Sequence, residues 1–307
     1  MKIIWGIENF IKPETPVYIG LGNFDGVHLG HKELFTQLIT RAQENNGQSV
    51  GLIFEPHPSR ILNPSRAPRL LLTVEGKAEI LSSLGLDVLI YTPFSKELSR
   101  CLPEEFVESF IINKLMAKEV FVGFNYSFGH KGVGTPGLLS ELGEKYNFKV
   151  TVIPPVKVNG EVVSSTLIRK ALDAGDIKKA YSMLGYYPFI EGQVVQGEKR
   201  GAAIGFPTAN LQVSPAVNIP SSGVYVARAV VNGMSYKAAV NIGKKPTFHD
   251  DFPVSIEAHL INFDQQIYGE KLKLHFLDRI RGEKKFSGIE ELKEQIKKDR
   301  EKAMLFD

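Results

Sequence analysis

Val17-Tyr18-Ile19-Gly20-Leu21-Gly22-Asn23-Phe24-Asp25-Gly26-Val27-His28-Leu29-Gly30-His31 runs from an apolar segment straight into a polar, glycine-marked turn. Residues 17–21 read as a buried strand. Beyond the turn, Leu34, Leu38, Ile39 and Ala42 share one helical face. The turn therefore joins a strand to a helix. At a helix start, free N–H groups and the positive dipole end favour a bound phosphate. His28 and His31 stand at i and i+3, on one face of the first turn. Gly30 has no Cβ, so a nucleotide can approach the backbone there. This combination suits a site that grips the phosphates of ATP. The plain alternative is a pair of helix-capping or surface histidines.

Working outward, the same alternation continues. Residues 50–54, 88–91, 119–123 and 149–153 read as further strands, and 32–45, 74–84, 103–116 and 136–146 as helices. Such alternation predicts a parallel sheet with helices on both faces, an α/β unit. Ligands bind beyond the carboxyl ends of strands in such sheets. Phe54-Glu55-Pro56-His57-Pro58 and Val122-Gly123-Phe124-Asn125-Tyr126-Ser127-Phe128-Gly129 fall there, beside the histidine turn. Residues 164–184 read as two short helices, the first capped by Ser164 or Ser165. Leu184-Gly185-Tyr186-Tyr187-Pro188 breaks the pattern and sets the expected boundary, giving domains 1–185 and 186–307. Past it, 189–196, 224–231, 236–242, 254–260 and 272–276 are strand-like, with turns at Gly233, Gly243 and Gly269. That is the pattern of an antiparallel barrel or sandwich. Residues 289–305 are amphipathic and predict a helix packed on it.

A length of 307 residues suits two domains, and 43% hydrophobic with 23% charged residues is ordinary globular composition. A net charge of +3 makes no electrostatic case for nucleic acid. Cys101 is the one cysteine and cannot form an internal disulfide, which fits a reducing, cytoplasmic setting. No apolar stretch approaches the ~20 residues of a membrane helix. Residues 1–11 hold Trp5, Glu8 and Asn9 and lack a signal-peptide core. The expected partners are small molecules, with no nucleic acid and no membrane, on a monomer or weak oligomer.

Further motifs carry chemistry. Ser164-Ser165-Thr166-Leu167-Ile168-Arg169 places hydroxyls and an arginine at a helix start: an anion site, or a simple cap with a surface arginine. Gly197 to Gly201 could wrap phosphates with backbone N–H groups. In Gly205-Phe206-Pro207-Thr208-Ala209-Asn210, Thr208 and Asn210 offer neutral oxygens suited to Mg2+ shared with ATP phosphates, or ordinary turn chemistry. Glu257, between Ile256 and Ala258 in a strand, faces either a site or solvent.

Together these motifs resemble the bacterial bifunctional riboflavin kinase/FAD synthetase family over nearly the whole chain. The resemblance implies a Rossmann-like nucleotidyltransferase domain with a parallel sheet. An antiparallel β-barrel kinase domain ending in an α-helix would follow. It implies two Mg2+-dependent reactions of ATP: riboflavin to FMN, then FMN to FAD with release of pyrophosphate. His28 and His31 would then stabilise charge on the triphosphate, within a loop that includes Gly22. Asn23 would hold the nucleotide; Asp25 either binds as well or only fixes the turn. His57 would line the ATP site. Asn125 would bind near the flavin phosphate or adenylate, or else simply occupy a left-handed turn. Ser164, Ser165 and Thr166 belong to the third signature, in which Arg169 would contact the pyrophosphate or α-phosphate. Glu257 would be the base of the kinase. Gly197, Gly201, Gly205 and Pro207 would shape its nucleotide loop, and Asn241 would lie beside nucleotide or flavin. Arg281, with Glu283 and Phe286, would help close the flavin pocket.

Ala202, Lys245 and Gln266 depart from the family pattern where basic, arginine and acidic residues are usual, which bears on the kinase half. The alternative is an FMN adenylyltransferase alone, its barrel a weak or inactive flavin-binding or regulatory module. A different H-x-G-H enzyme is disfavoured because a tRNA-charging synthetase needs a K-M-S-K-S-like loop, which is absent. A small adenylyltransferase would leave Gly205 to Asn210 unexplained. A nucleic-acid-binding barrel lacks an aromatic-basic pattern.

Overall fold

Two compact units, Met1–Ser164 and Ser165–Asp307, divide the chain in a computed structural model that describes residues 1–197, 201, 204–244 and 254–306. The first is built on six strands: β1 (Lys2–Trp5), β2 (Val17–Leu21), β3 (Gln48–Glu55), β4 (Val88–Pro93), β5 (Ala117–Gly123) and β6 (Lys149–Ile153). Their order is β1-β4-β3-β2-β5-β6, and every pairing is parallel. All five residues of β2 are buried, as expected for a central strand covered on both faces. The covering helices are α1 (Leu29–Glu44), α2 (Pro58–Leu62), α3 (Val74–Ser83), α4 (Pro103–Phe106) and α5 (Pro136–Tyr146). The segment expected as one helix over 103–116 is a single α-turn, α4, that continues as a π-helix, Val107–Leu115.

Gly20 and Gly51 are register partners on β2 and β3. A Cβ on Gly20 would lie 3.0 Å from Leu34 Cδ2 and 3.1 Å from Leu38 Cδ1; one on Gly51 would lie 3.3 Å from Phe35 Cε1. The bare backbone of this pair thus forms the floor on which α1 packs, and it fixes where the N-terminus of α1 meets the carboxyl edge of the sheet. A small antiparallel ribbon, β7 (Lys157–Val158) with β8 (Glu161–Val162), closes the unit.

The second unit begins with α6 (Ser165–Ala174) and α7 (Ile177–Leu184). A closed barrel follows, in the order β10-β13-β12-β11-β14-β9. Its strands are β9 (Phe189–Val195), β10 (Ala209–Val213), β11 (Gly223–Val231), β12 (Met234–Lys244), β13 (Val254–Leu260) and β14 (Lys271–Arg281). All its pairings are antiparallel. Val240, Ile256, Ala258 and Leu274 are buried, alternating with more exposed neighbours. β11 departs from that alternation and is buried from Gly223 to Ala227. The cause is α8 (Ile289–Leu305), whose Ala303 packs with Val226 and Ile261. The strand is therefore covered from both sides.

Candidate active sites

The turn between β2 and α1 is bent into conformations that side chains rarely adopt. Phe24 has φ 47°, Gly26 82° and Val27, a β-branched residue, 35°. Two bonds from elsewhere in the unit pin it. Asp25 Oδ1 accepts the Leu71 N–H at 2.9 Å, and Lys77 Nζ on α3 donates to the Asn23 carbonyl at 2.8 Å. Asp25 and Lys77 are both 4% exposed. Burial lowers the Lys77 pKa, while the carboxylates of Asp25 and Glu55 oppose loss of its proton.

His28 is the N-cap of α1, and its Nδ1 takes a long 3.4 Å contact from the His31 N–H. The two imidazoles stack, with centroids 3.6 Å apart and planes 15° from parallel. The Phe24 ring meets His31 edge-on at 5.3 Å. His31 Nδ1 is shut off from solvent and has no hydrogen-bond partner among the described residues. Burial holds His28 down to about 4. His31 is held well below its ordinary value, first by burial and then by His28 and Lys77. Both rings are thus neutral near pH 7, each carrying one N–H. Gly22 and Asn23 flank the turn half-buried, and a Cβ on Gly30 would lie 3.3 Å from His28 Cε1.

Other groups line the same sheet edge. His57 caps α2 just past β3, its Nδ1 against Ser59 N at 3.2 Å and Ser59 Oγ at 2.7 Å. Asn125 is exposed in the turn after β5; it is not among the residues of positive φ. Phe54, Phe94, Phe106, Phe110, Tyr126 and Phe128 form a run of ring contacts with centroids 5.0 to 6.3 Å apart. Sequence reasoning passed over Lys77 and this aromatic run. For Lys77 the signal is a charged residue on the helical face that also presents Ala78 and Leu81. Ser164 closes the first unit; Ser165, Thr166 and Arg169 start α6 in the second.

On the barrel, register builds the site. Glu257 on β13 stands opposite Asn210 on β10 and Asn241 on β12, so three polar residues form one row across three strands. Their strand neighbours Ile256 and Ala258 point inward, which puts Glu257 on the outer face, where Ser255 Oγ donates to its Oε1 at 3.2 Å. The entry to β10 folds onto itself, with Phe206 N donating to Gly201 O at 2.9 Å, and Thr208 close to Gly201. Gly205 has φ 90° and Pro207 is exposed, its carbonyl 2.8 Å from His259 Nδ1. The Asn210 side chain fills the space a Cβ on Gly197 would need. Arg281 Nη2 and Nε hold buried Asp299 of α8 at 2.8 and 3.0 Å, and its guanidinium lies 5.7 Å from the Phe286 ring. Glu283 Oε1 reaches toward Gly243, next to Asn241. Gln266 is exposed; Ala202 and Lys245 lie outside the described residues.

Residues 11–167 match the FAD synthetase family model and 184–306 the riboflavin kinase model. A protein of Bacillus subtilis called bifunctional riboflavin kinase/FMN adenylyltransferase is 37% identical over 305 residues, 97% of this chain and 95% of its own length. One of the same name from Escherichia coli is 32% identical over 301 residues, 97% and 96% of the two chains. A crystal structure titled as a macrolide-efflux protein of Streptococcus pneumoniae superposes over 100% of both chains, with a TM-score of 0.91 and 31% identity. The described residues of this chain contain no helix long and apolar enough to cross a membrane.

Proposed function

The chain belongs to the bifunctional riboflavin kinase/FMN adenylyltransferase family, and on that premise we propose how its residues divide the work. The enzyme phosphorylates riboflavin to FMN with ATP, then transfers AMP from a second ATP to FMN, releasing FAD and pyrophosphate. We assign adenylyl transfer to residues 1–185 and phosphorylation to 186–307. The first range contains the matched 11–167 and the second nearly all of 184–306.

In adenylyl transfer a phosphate oxygen of FMN attacks the α-phosphorus of ATP, and the bond to pyrophosphate breaks. Negative charge builds on the departing oxygen. The observation that carries our reading is the stacked, neutral His28–His31 pair at the start of α1. Neutral imidazoles donate hydrogen bonds to that charge without proton transfer, and the helix dipole adds to the effect. Asn23, Gly22 and Gly30 let the nucleotide approach, while Asp25 fixes the turn through Leu71. On the family resemblance alone, we assign His57, Asn125 and Ser164 to nucleotide contacts, and Ser165, Thr166 and Arg169 to the pyrophosphate. The aromatic run belongs to the core beneath this sheet edge, with Phe106 and Phe128 buried, and holds the loops above it in place.

In phosphorylation Glu257 takes the proton of the riboflavin 5′-hydroxyl as its oxygen attacks the γ-phosphorus and ADP leaves. Thr208 and Asn210 would hold Mg2+. They are neutral oxygen donors, and Asn210 stands opposite Glu257 in register. That donor set suits a cation that keeps phosphate and water ligands. Mg2+ would screen the charge of the transferring phosphates. Gly197, Gly201, Gly205 and Pro207 shape the phosphate loop, Asn241 borders the ligand, and Arg281, held by Asp299, shapes the pocket wall. We place the enzyme in the cytoplasm, as a monomer or weak oligomer acting on small molecules, without nucleic-acid or membrane partners.

The test is a pair of variants assayed for both reactions. His31→Gln is expected to lose at least about a hundredfold in FAD formation from FMN and keep riboflavin phosphorylation. Glu257→Gln should do the reverse, losing on the order of 10²–10⁴-fold in phosphorylation. A Glu257→Gln enzyme that phosphorylates riboflavin normally would remove that residue as the base.

A further inference from the structure

We propose that Lys77 is a positioning residue of the adenylyl-transfer site: its ammonium, balanced by the carboxylates of Asp25 and Glu55, clamps the strained turn that presents the histidine pair. The inference rests on the assignment of His28 and His31 above and goes beyond it.

The clamp is built from α3, an element apart from the signature turn. Lys77 sits on the buried face of that helix, with Ala78 and Leu81. An ammonium this enclosed is costly unless bonded and balanced. Its hydrogen bond goes to the Asn23 carbonyl at 2.8 Å, one residue before Phe24, where the chain first takes a positive φ. Val27 at φ 35° holds a conformation that persists only where the surroundings enforce it. Lys77 to Asn23 and Asp25 to Leu71 are bonds that bracket this turn from outside it. An apolar side chain at 77 would fill the core equally well and hold nothing. A lysine on this helical face is therefore accounted for by the turn.

The charge has a second consequence. His31 is faced by His28 within its own turn and by Lys77 from α3. Lys77 is faced by Asp25 and by Glu55 at the end of β3, and Glu55 in turn by Arg60 of α2 and Glu75 of α3. The Lys77 charge disfavours a proton on His31. Removing that charge makes His31 easier to protonate, so the ring changes from a neutral donor to a cation at a higher pH.

The experiment compares full-length wild type, Lys77→Met, Lys77→Gln and His31→Gln for FAD formation from FMN and ATP across pH. Riboflavin phosphorylation is run in parallel. Trp5, the chain's one tryptophan, stacks on Tyr91 at 4.9 Å within the first unit, so its fluorescence reports whether that unit is folded. Lys77→Met should keep phosphorylation and the Trp5 signal, and lose on the order of a hundredfold in kcat for FAD formation with a smaller change in KM. The acid limb of its profile should move up by roughly one pH unit. Lys77→Gln keeps a donor and loses the charge. It should show the same pH displacement with a smaller fall in kcat, and it carries the test if Lys77→Met does not fold. A folded Lys77 variant whose kcat and acid limb both match wild type, while His31→Gln loses FAD formation, overturns the role of Lys77 alone. If His31→Gln forms FAD normally, the assignment of the histidines falls, and this inference with it.

Discussion

In the proposed mechanism His28 and His31 act as neutral rings, each with one N–H to donate, and burial holds them in that form. Burial lowers His28 from 6.5 to about 4 and His31 well below 6.5. Below 6.5 the unfolded chain therefore binds protons that the folded chain refuses, so stability is full above that value and falls as pH drops toward 4. Urea unfolding of the first unit, followed by Trp5 fluorescence, should give a lower midpoint at about pH 5 than at about pH 7. An unchanged midpoint would mean the rings are not held neutral. On the barrel the telling residue is Gly197, whose missing Cβ leaves room for Asn210. Gly197→Ala should displace that amide and cut riboflavin phosphorylation by roughly 10–100-fold, with FAD formation from FMN unchanged. Paired initial-rate assays on the one variant check both halves of this expectation.

At the scale of elements, α8 is held to the barrel by charge as well as by packing. Arg281 grips Asp299, Gln295 Nε2 donates to the same carboxylate at 2.9 Å, and Lys237 Nζ bonds the carbonyls of Met304 and Phe306 at 2.7 Å. Asp299→Ala would leave the guanidinium without its buried partner, at a cost of about 3–5 kcal/mol. Thermal loss of phosphorylating activity should come at a markedly lower temperature in that variant. Most elements were legible from periodicity. The span 289–305 was expected as a helix and is one, because charges alternate with apolar residues throughout it. Strand 17–21 was equally plain, being apolar at every position but one glycine. β1 was not, because an edge strand buries one residue of four, Ile4, and leaves Ile3 and Trp5 exposed. β10 hides in Ala-Asn-Leu-Gln-Val, where register partners rather than local pattern make the strand. The same holds for the sites. The motifs named His28, His31 and Glu257, but the row Asn210–Glu257–Asn241 exists only once strands are paired. Lys77 acts across 54 residues of chain, a distance no local motif spans.

At the scale of the molecule, one chain carries the two steps that turn riboflavin into FAD, and the proposed mechanism gives each step its own residues. That division predicts complementation. A mixture of the His31→Gln and Glu257→Gln enzymes should make FAD from riboflavin, because FMN released by one is substrate for the other, while neither does so alone. The most direct measurement is a chromatographic time course of the wild-type enzyme with riboflavin, ATP and Mg2+. The account predicts that FMN rises first, FAD follows at its expense, and pyrophosphate accumulates in step with FAD. Riboflavin left unconverted, while added FMN still yields FAD, would contradict it.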